Sequence, residues 1–215
     1  MTRPGHALRL AGVDLYRNSW RLVPVNAVLG ALLVGVGVTA LAVHAALVLV
    51  VLAGPLAGAL VHGAVTLVRT GNLTYADLLA GLRLHWRRGL GLGAGGAALV
   101  FLGVLAVRFY SRSPLLVPLA FLTAYLVVMA GIYQVVLWVL AIAEPDRPLR
   151  ACASEAGVVV AQRPGATLLL GLALLLVNLV GIAAAVMPFL TLTLAYSFVA
   201  AAHFVLPAQT LEDGA

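Results

Sequence analysis

Lysine is absent from this sequence, cysteine occurs once, and charged residues fill only 9% of its 215 positions. The single Cys152 excludes an intramolecular disulfide and any multi-cysteine metal site. Acids are scarce as well: Asp14, Asp77, Glu144, Asp146, Glu155, Glu212 and Asp213 are all seven, and none falls inside a long apolar run. That placement argues against a proton-driven transporter, which relies on carboxylates at bilayer depth. A phosphate-binding glycine loop, an HExxH helix and a nucleophile elbow are missing too, and Ser154 beside Glu155 lacks the spacing of a triad. The expectation is a non-enzyme with no catalytic residue, no cofactor and no metal. An enzyme would need a pocket assembled from Asp77, His85 and Glu155, which nothing in the spacing demands.

What the chain has in abundance is hydrocarbon. Hydrophobic residues make up 63% of it, with a mean hydropathy of +1.11. Residues 22–68 contain no Asp, Glu, Lys or Arg, and neither do residues 164–211. Each run is long enough for two passes of the roughly 20 residues that a bilayer-spanning helix needs. The fold class expected is all-α, a polytopic membrane bundle of about six spans near 22–43, 47–68, 89–107, 116–142, 165–187 and 189–205. Pro55 should kink or interrupt the second span.

All thirteen cations are arginine. With the N-terminus inside, eleven of them, from Arg3 to Arg163, face the cytoplasm and only Arg108 and Arg112 lie outside. The positive-inside rule therefore favours a multi-pass protein of a bacterial cytoplasmic (inner) membrane with both termini cytoplasmic. The net charge of +6 then points to a lipid bilayer with an anionic inner leaflet as partner, and not to nucleic acid. The oligomeric state is left open.

Domain organisation is expected to be a single integral membrane domain over 1–215. It comprises an amphipathic cytoplasmic segment (1–21), a hairpin (22–68), an interfacial helix (74–88), a second hairpin (89–143), another interfacial helix (149–163), a third hairpin (164–207) and a tail (208–215). These pieces suggest three repeats of interfacial helix plus hairpin. In the first segment Leu8, Gly12, Leu15, Tyr16, Ser19 and Trp20 share one helical face. In the second, Thr74 with Asp77 has the spacing of a capping box and Leu73 with Leu78 that of a hydrophobic staple. There Tyr75, Leu78, Leu79, Leu82 and Trp86 are expected to form the apolar stripe.

Several short motifs occur in order: Leu15-Tyr16, Leu22-Val23-Pro24-Val25-Asn26, Gly54-Pro55-Leu56-Ala57-Gly58-Ala59-Leu60, Val68-Arg69-Thr70-Gly71, Asp77 to Trp86, Gln134, Glu144-Pro145 and Arg163-Pro164. In these the chain resembles the YesL-type family of bacterial membrane proteins, departing from it at Gly58 and His62, where bulkier aromatic side chains are common. The family has no established activity. The resemblance implies an accessory or scaffold component of carbohydrate or solute uptake, with solute-transporter subunits as partners.

Two groups of residues are candidates for function. Arg83, Trp86, Arg87 and Arg88 form a basic, aromatic cluster suited to lipid anchoring or to docking a partner protein. Gln134, Asn178 and Tyr196 are polar residues within apolar runs. They form either interhelical hydrogen bonds or, with Thr191 and Thr193, a polar path through the bundle. The path would make the protein a small-solute transporter or lipid-handling protein, the alternative to the accessory role. His44 and His62 would lie about 27 Å apart on one continuous helix, too far to share a metal, so each is expected to cap a helix end or bond a carbonyl. His203 is expected at the interface. Gly54-x-x-x-Gly58, Gly89-x-x-x-Gly93 and Gly91-x-x-x-Gly95 fit close helix packing.

Overall fold

The computed structural model describes residues 2–184 and 186–206. The tail 208–215, with Glu212 and Asp213, and the side chain of His44 lie outside the described residues. Those described form helices and no strand. In order they are α1 (Pro4–Ala42), a 3₁₀ segment (His44–Ala53), α2 (Gly54–Thr70), α3 (Tyr75–Tyr110), a short 3₁₀ turn, α4 (Val117–Ala143), α5 (Leu149–Gln162), α6 (Pro164–Ala183), a π-turn (Phe189–Thr193) and α7 (Leu194–Val205). Five helical stretches are long and apolar enough to cross a membrane, and Phe189–Val205, expected as a sixth span, is shorter. The result is a helical membrane bundle. The expected second span changes from 3₁₀ to α-helix at Gly54-Pro55, where proline has no N–H to continue the ladder, yet Leu49–Thr70 remains one helical stretch.

Two expected boundaries are absent. The first amphipathic segment and the first span form one helix, as do residues 74–88 and the third span. The third unit differs, since α5 and α6 are separate helices parted at Arg163-Pro164.

Although unbroken, α1 is not straight. The Tyr196 hydroxyl donates to the Leu8 carbonyl (3.0 Å), while the next-door Ala195 N–H donates to Asn26 Oδ1 (2.6 Å). A straight helix would hold Leu8 and Asn26 about 27 Å apart, beyond the reach of one tyrosine, so α1 bends between them and wraps the end of α7. The cause is Pro24, which lies inside the helix and leaves the Trp20 carbonyl without its usual partner. The Tyr75 hydroxyl of α3 takes that carbonyl at 2.6 Å. Beside it, Arg21 donates to Asn72 Oδ1 (2.7 Å) and to the Leu73 carbonyl.

α2 and α3 run antiparallel and cross on glycine. A Cβ on Gly54 would strike the Gly89 carbonyl, and one on Gly89 would sit 2.6 Å from the Gly54 oxygen. Gly93 packs on Gly54 in the same way, whereas Gly91 faces open space. Close packing within the chain thus uses the first two glycine pairs and leaves Gly91-x-x-x-Gly95 without a crossing. The capping box forms as spaced, with Asp77 N–H donating to Thr74 Oγ1 (3.2 Å) and Thr74 N–H to Asp77 Oδ2 (2.7 Å). Leu73 and Leu78 are both buried.

The apolar stripes expected on the amphipathic segments are only partly the buried ones. On α3 the buried face is Leu78, Gly81, His85 and Gly89, while Tyr75, Leu79 and Trp86 are exposed. On α1 it is Ala7, Ala11, Asn18 and Leu22, while Tyr16 and Trp20 are exposed. Close approach of a neighbouring helix selects small side chains, and the large rings are left outside.

The core gathers at the end where α1, α3 and α6 begin and α2, α4 and α7 finish. There Val136 to Ala143 of α4 are buried without interruption, enclosed by α2, α3, α5 and α7. Asn26, fully buried, lies against the π-turn and donates to the carbonyls of Phe189 (3.0 Å) and Leu190 (2.7 Å). With Ala195 N–H it thereby satisfies backbone groups that the widened turn displaces from α-helical register.

Candidate functional site

Arginines at this end divide into two sets. Arg88 turns inward and donates to the carbonyls of Ala141 (2.7 Å), Glu144 (3.0 Å) and Arg147. Arg69 reaches the Ala143 carbonyl at 3.2 Å. Both place positive charge on the C-terminus of α4, where carbonyls lack helical partners and the dipole is negative. Arg88, placed in the docking cluster by sequence, therefore serves the fold. Arg83, Trp86 and Arg87 are exposed, with the Arg87 guanidinium 5.1 Å from the Trp86 ring centre. Arg147, on the α4–α5 connection, pairs with Glu144 (2.7 Å) and Glu155 (2.5 Å), and these carboxylates raise its already high pKa further.

The polar residues Gln134, Asn178 and Tyr196, expected to form either interhelical hydrogen bonds or a polar path, go to separate places. Gln134 Nε2 donates to the Leu92 carbonyl (2.9 Å). Tyr196 bonds Leu8, as above. Asn178 donates to the Leu174 carbonyl (2.8 Å) and Ser197 Oγ (2.7 Å), and accepts from Thr193 Oγ1 (3.0 Å). Thr191 bonds back to Met187 within its own helix. The three named residues do not share a cavity, because each found a backbone or side-chain acceptor on the nearest helix.

The histidines also depart from expectation. His62 Nδ1 lies 3.2 Å from Nε2 of the buried His85, so it pairs with a second imidazole instead of a carbonyl. Gly81 makes room for it, since a Cβ there would lie 2.7 Å from the His62 Cβ. His203 meets Asp14 at 2.7 Å. Asp77, His85 and Glu155 are each engaged elsewhere and form no common pocket. No group of three or more metal-binding side chains occurs among the described residues.

One cavity stands out. It is a groove of about 410 Å³ between α4, α6 and α7, touched by Leu99 and Val100 of α3. Its α6 wall is Thr167, Leu170, Leu174 and Asn178, and its α7 wall is Leu194, Ser197, Ala201 and Val205. These are successive turns of two helices, so the groove runs about 17 Å along the helix axes. It exists because α6 stands off from the core, with only 22% of its apolar window buried, and because Gly131 leaves open space in the facing wall. The few polar atoms on it are occupied. Thr167 Oγ1 donates to the Arg163 carbonyl (3.0 Å), and both Asn178 amide hydrogens are used within the protein. A ligand entering the groove meets almost continuous hydrocarbon.

Sequence reasoning missed the groove and Asn26. The spacing of Thr167, Leu170, Leu174 and Asn178 carried a trace of the first, and an amide one turn after Arg21-Leu22 a trace of the second. These features define a multi-pass helical membrane protein with a lateral apolar groove. No family model, curated protein or solved structure matches the chain, and the YesL-type resemblance gains no support from these comparisons.

Proposed function

We propose that this is a lipid-handling membrane protein which holds an acyl chain in the groove between α4, α6 and α7. The observation that carries this reading is a cavity of about 410 Å³, within the range of about 300 to 1,000 Å³ typical of ligand sites, whose polar atoms are already spent on the protein. Such a wall offers a sugar or an ion no hydrogen-bond partners, and it offers an alkyl chain contact along its length.

The test is photolabelling in nanodiscs with a phosphatidylcholine that carries a diazirine in its acyl chain. Adducts should concentrate on the Val128–Val136 and Leu170–Asn178 walls, well above those on the equally apolar surface around Phe121 and Leu122. Gly131→Leu fills open space and should remove the excess. Labelling spread evenly over all exposed apolar surface would refute the reading. The accessory role in carbohydrate or solute uptake, motivated by the YesL-type resemblance, adds a protein partner to this picture. Co-purification of transporter subunits in gentle detergent would support it.

A further inference from the structure

A second surface stands apart from the groove and does not depend on it. Three arginines at the densely packed end, Arg21, Arg69 and Arg88, are bound to backbone carbonyls or to Asn72. Four others, Arg9, Arg17, Arg83 and Arg87, are exposed, and none has an ion-pair partner among the described residues. They alternate with exposed Tyr16, Trp20, Tyr75 and Trp86.

Two contacts join these residues into one surface. Trp20 of α1 meets Tyr75 of α3 edge to face, with ring centres 5.4 Å apart, and the Tyr75 hydroxyl holds the carbonyl that Pro24 frees. The position of this surface follows from its ends. Tyr75 reaches α1 just before its uncharged run begins, and Arg88 reaches the last turn of α4. The C-terminus of α2 ties these two places together, with Arg69 on Ala143 and Asn72 on Arg21. Residues 75–89 of α3 lie antiparallel along α2, with Leu78 against Gly63, His85 against His62 and Gly89 against Gly54, so Arg83, Trp86 and Arg87 fall on the side of α3 turned away from α2. The start of α1, bent at Pro24, lies against the end of α7 at the same end of the bundle.

We infer that Arg9, Arg17, Arg83 and Arg87, with Trp20 and Trp86 between them, form a collar that binds anionic phospholipid headgroups of the membrane the protein spans. Guanidinium groups match phosphodiesters in geometry and charge. Amphipathic rings interleaved with them favour the headgroup layer. Both segments continue directly into spanning helices, which brings the collar to lipid whenever the protein is inserted. A protein docking site would carry the same charge but would show no lipid preference.

The experiment uses the full chain in nanodiscs of equimolar phosphatidylcholine and phosphatidylglycerol, with bromine on the acyl chains, close to the headgroup, of one lipid or the other. Tryptophan fluorescence reads Trp20 and Trp86, since Trp138 is buried. Quenching should be several-fold greater when phosphatidylglycerol carries the bromine. Arg9→Gln, Arg17→Gln, Arg83→Gln and Arg87→Gln together should bring the two quenching levels together, each exposed arginine contributing about five-fold to local enrichment at most. These side chains support no contact in the core, so the variant should keep its helical signal and melting temperature. Should it fail to fold, high salt applied to the native chain should cut the preference in the same direction. Equal quenching by the two lipids in the native chain, or a preference that survives both the substitutions and high salt, would overturn the collar. Both results leave the photolabelling test of the groove untouched.

Discussion

The two ends of the bundle are built differently. At the end that gathers most of the arginines, α4 is buried on every side from Val136 to Ala143, and carbonyls freed by Pro24 and by the end of α4 are capped by Tyr75 and Arg88; further along, where α2 begins, α2 and α3 touch backbone to backbone at Gly54 and Gly89. At the other end the same helices splay. Leu102, Phe109, Leu115, Phe121, Leu122 and Leu126 are more than half exposed, and one close fit there is Gly103 against Val127. One end is completed by protein, while the other relies on lipid to fill its surface. Substitutions should therefore cost stability at the first end and little at the second.

The largest effect is expected at the glycine crossing. Gly89→Leu drives a side chain into the Gly54 backbone, and overpacking against a rigid partner costs about 3 kcal/mol or more. A chemical unfolding titration in detergent should show loss of most of the native transition. Gly91→Ala, which meets nothing within 4 Å, should match the parent or exceed it by about 0.5 kcal/mol.

Next comes Arg88→Gln, which removes charge-assisted bonds to three carbonyls. A loss of about 2 kcal/mol is expected, readable as a lower midpoint in the same titration; an unchanged midpoint would return Arg88 to the surface-active set. Tyr75→Phe deletes one hydroxyl and should cost about 1 kcal/mol. It should also speed amide exchange around Trp20 to Val25, which a purely aromatic role for Tyr75 would leave alone. Smallest of all, Leu122→Ala at the splayed end should fall within about 0.5 kcal/mol of the parent. A loss comparable to that of Arg88→Gln would mean that this end is packed against something other than lipid.

Charge-free runs and arginine placement made the helical membrane bundle legible, and the Thr74–Asp77 box was visible from spacing alone. Which face of each amphipathic segment is buried was not. Hydrophobic periodicity weights a face by how apolar its side chains are, so Tyr16, Trp20 and Trp86 outweighed Ala7, Ala11 and Gly81. In a membrane protein the helix contact is chosen by closeness, and alanine, glycine and an occasional Asn or His provide it. The same logic hid the role of Arg88, whose partners are main-chain carbonyls and leave no mark in the sequence. The groove was illegible for a related reason: it depends on α6 standing apart from α4, and an apolar helix reads the same whether protein or lipid covers it.

The bend in α1 carries a consequence for the order of synthesis. Pro24 emerges early, yet the hydroxyl that accommodates the Trp20 carbonyl belongs to a residue 55 positions later, and the Asn26 contacts wait for residues more than 160 positions later. The first helix therefore enters the membrane before the groups that fix its shape exist. Its N-terminal arm gains its first restraints when Asn72, Leu73 and α3 arrive and others only when α7 is threaded, so α1, made before all of them, is among the last of these helices to be finished.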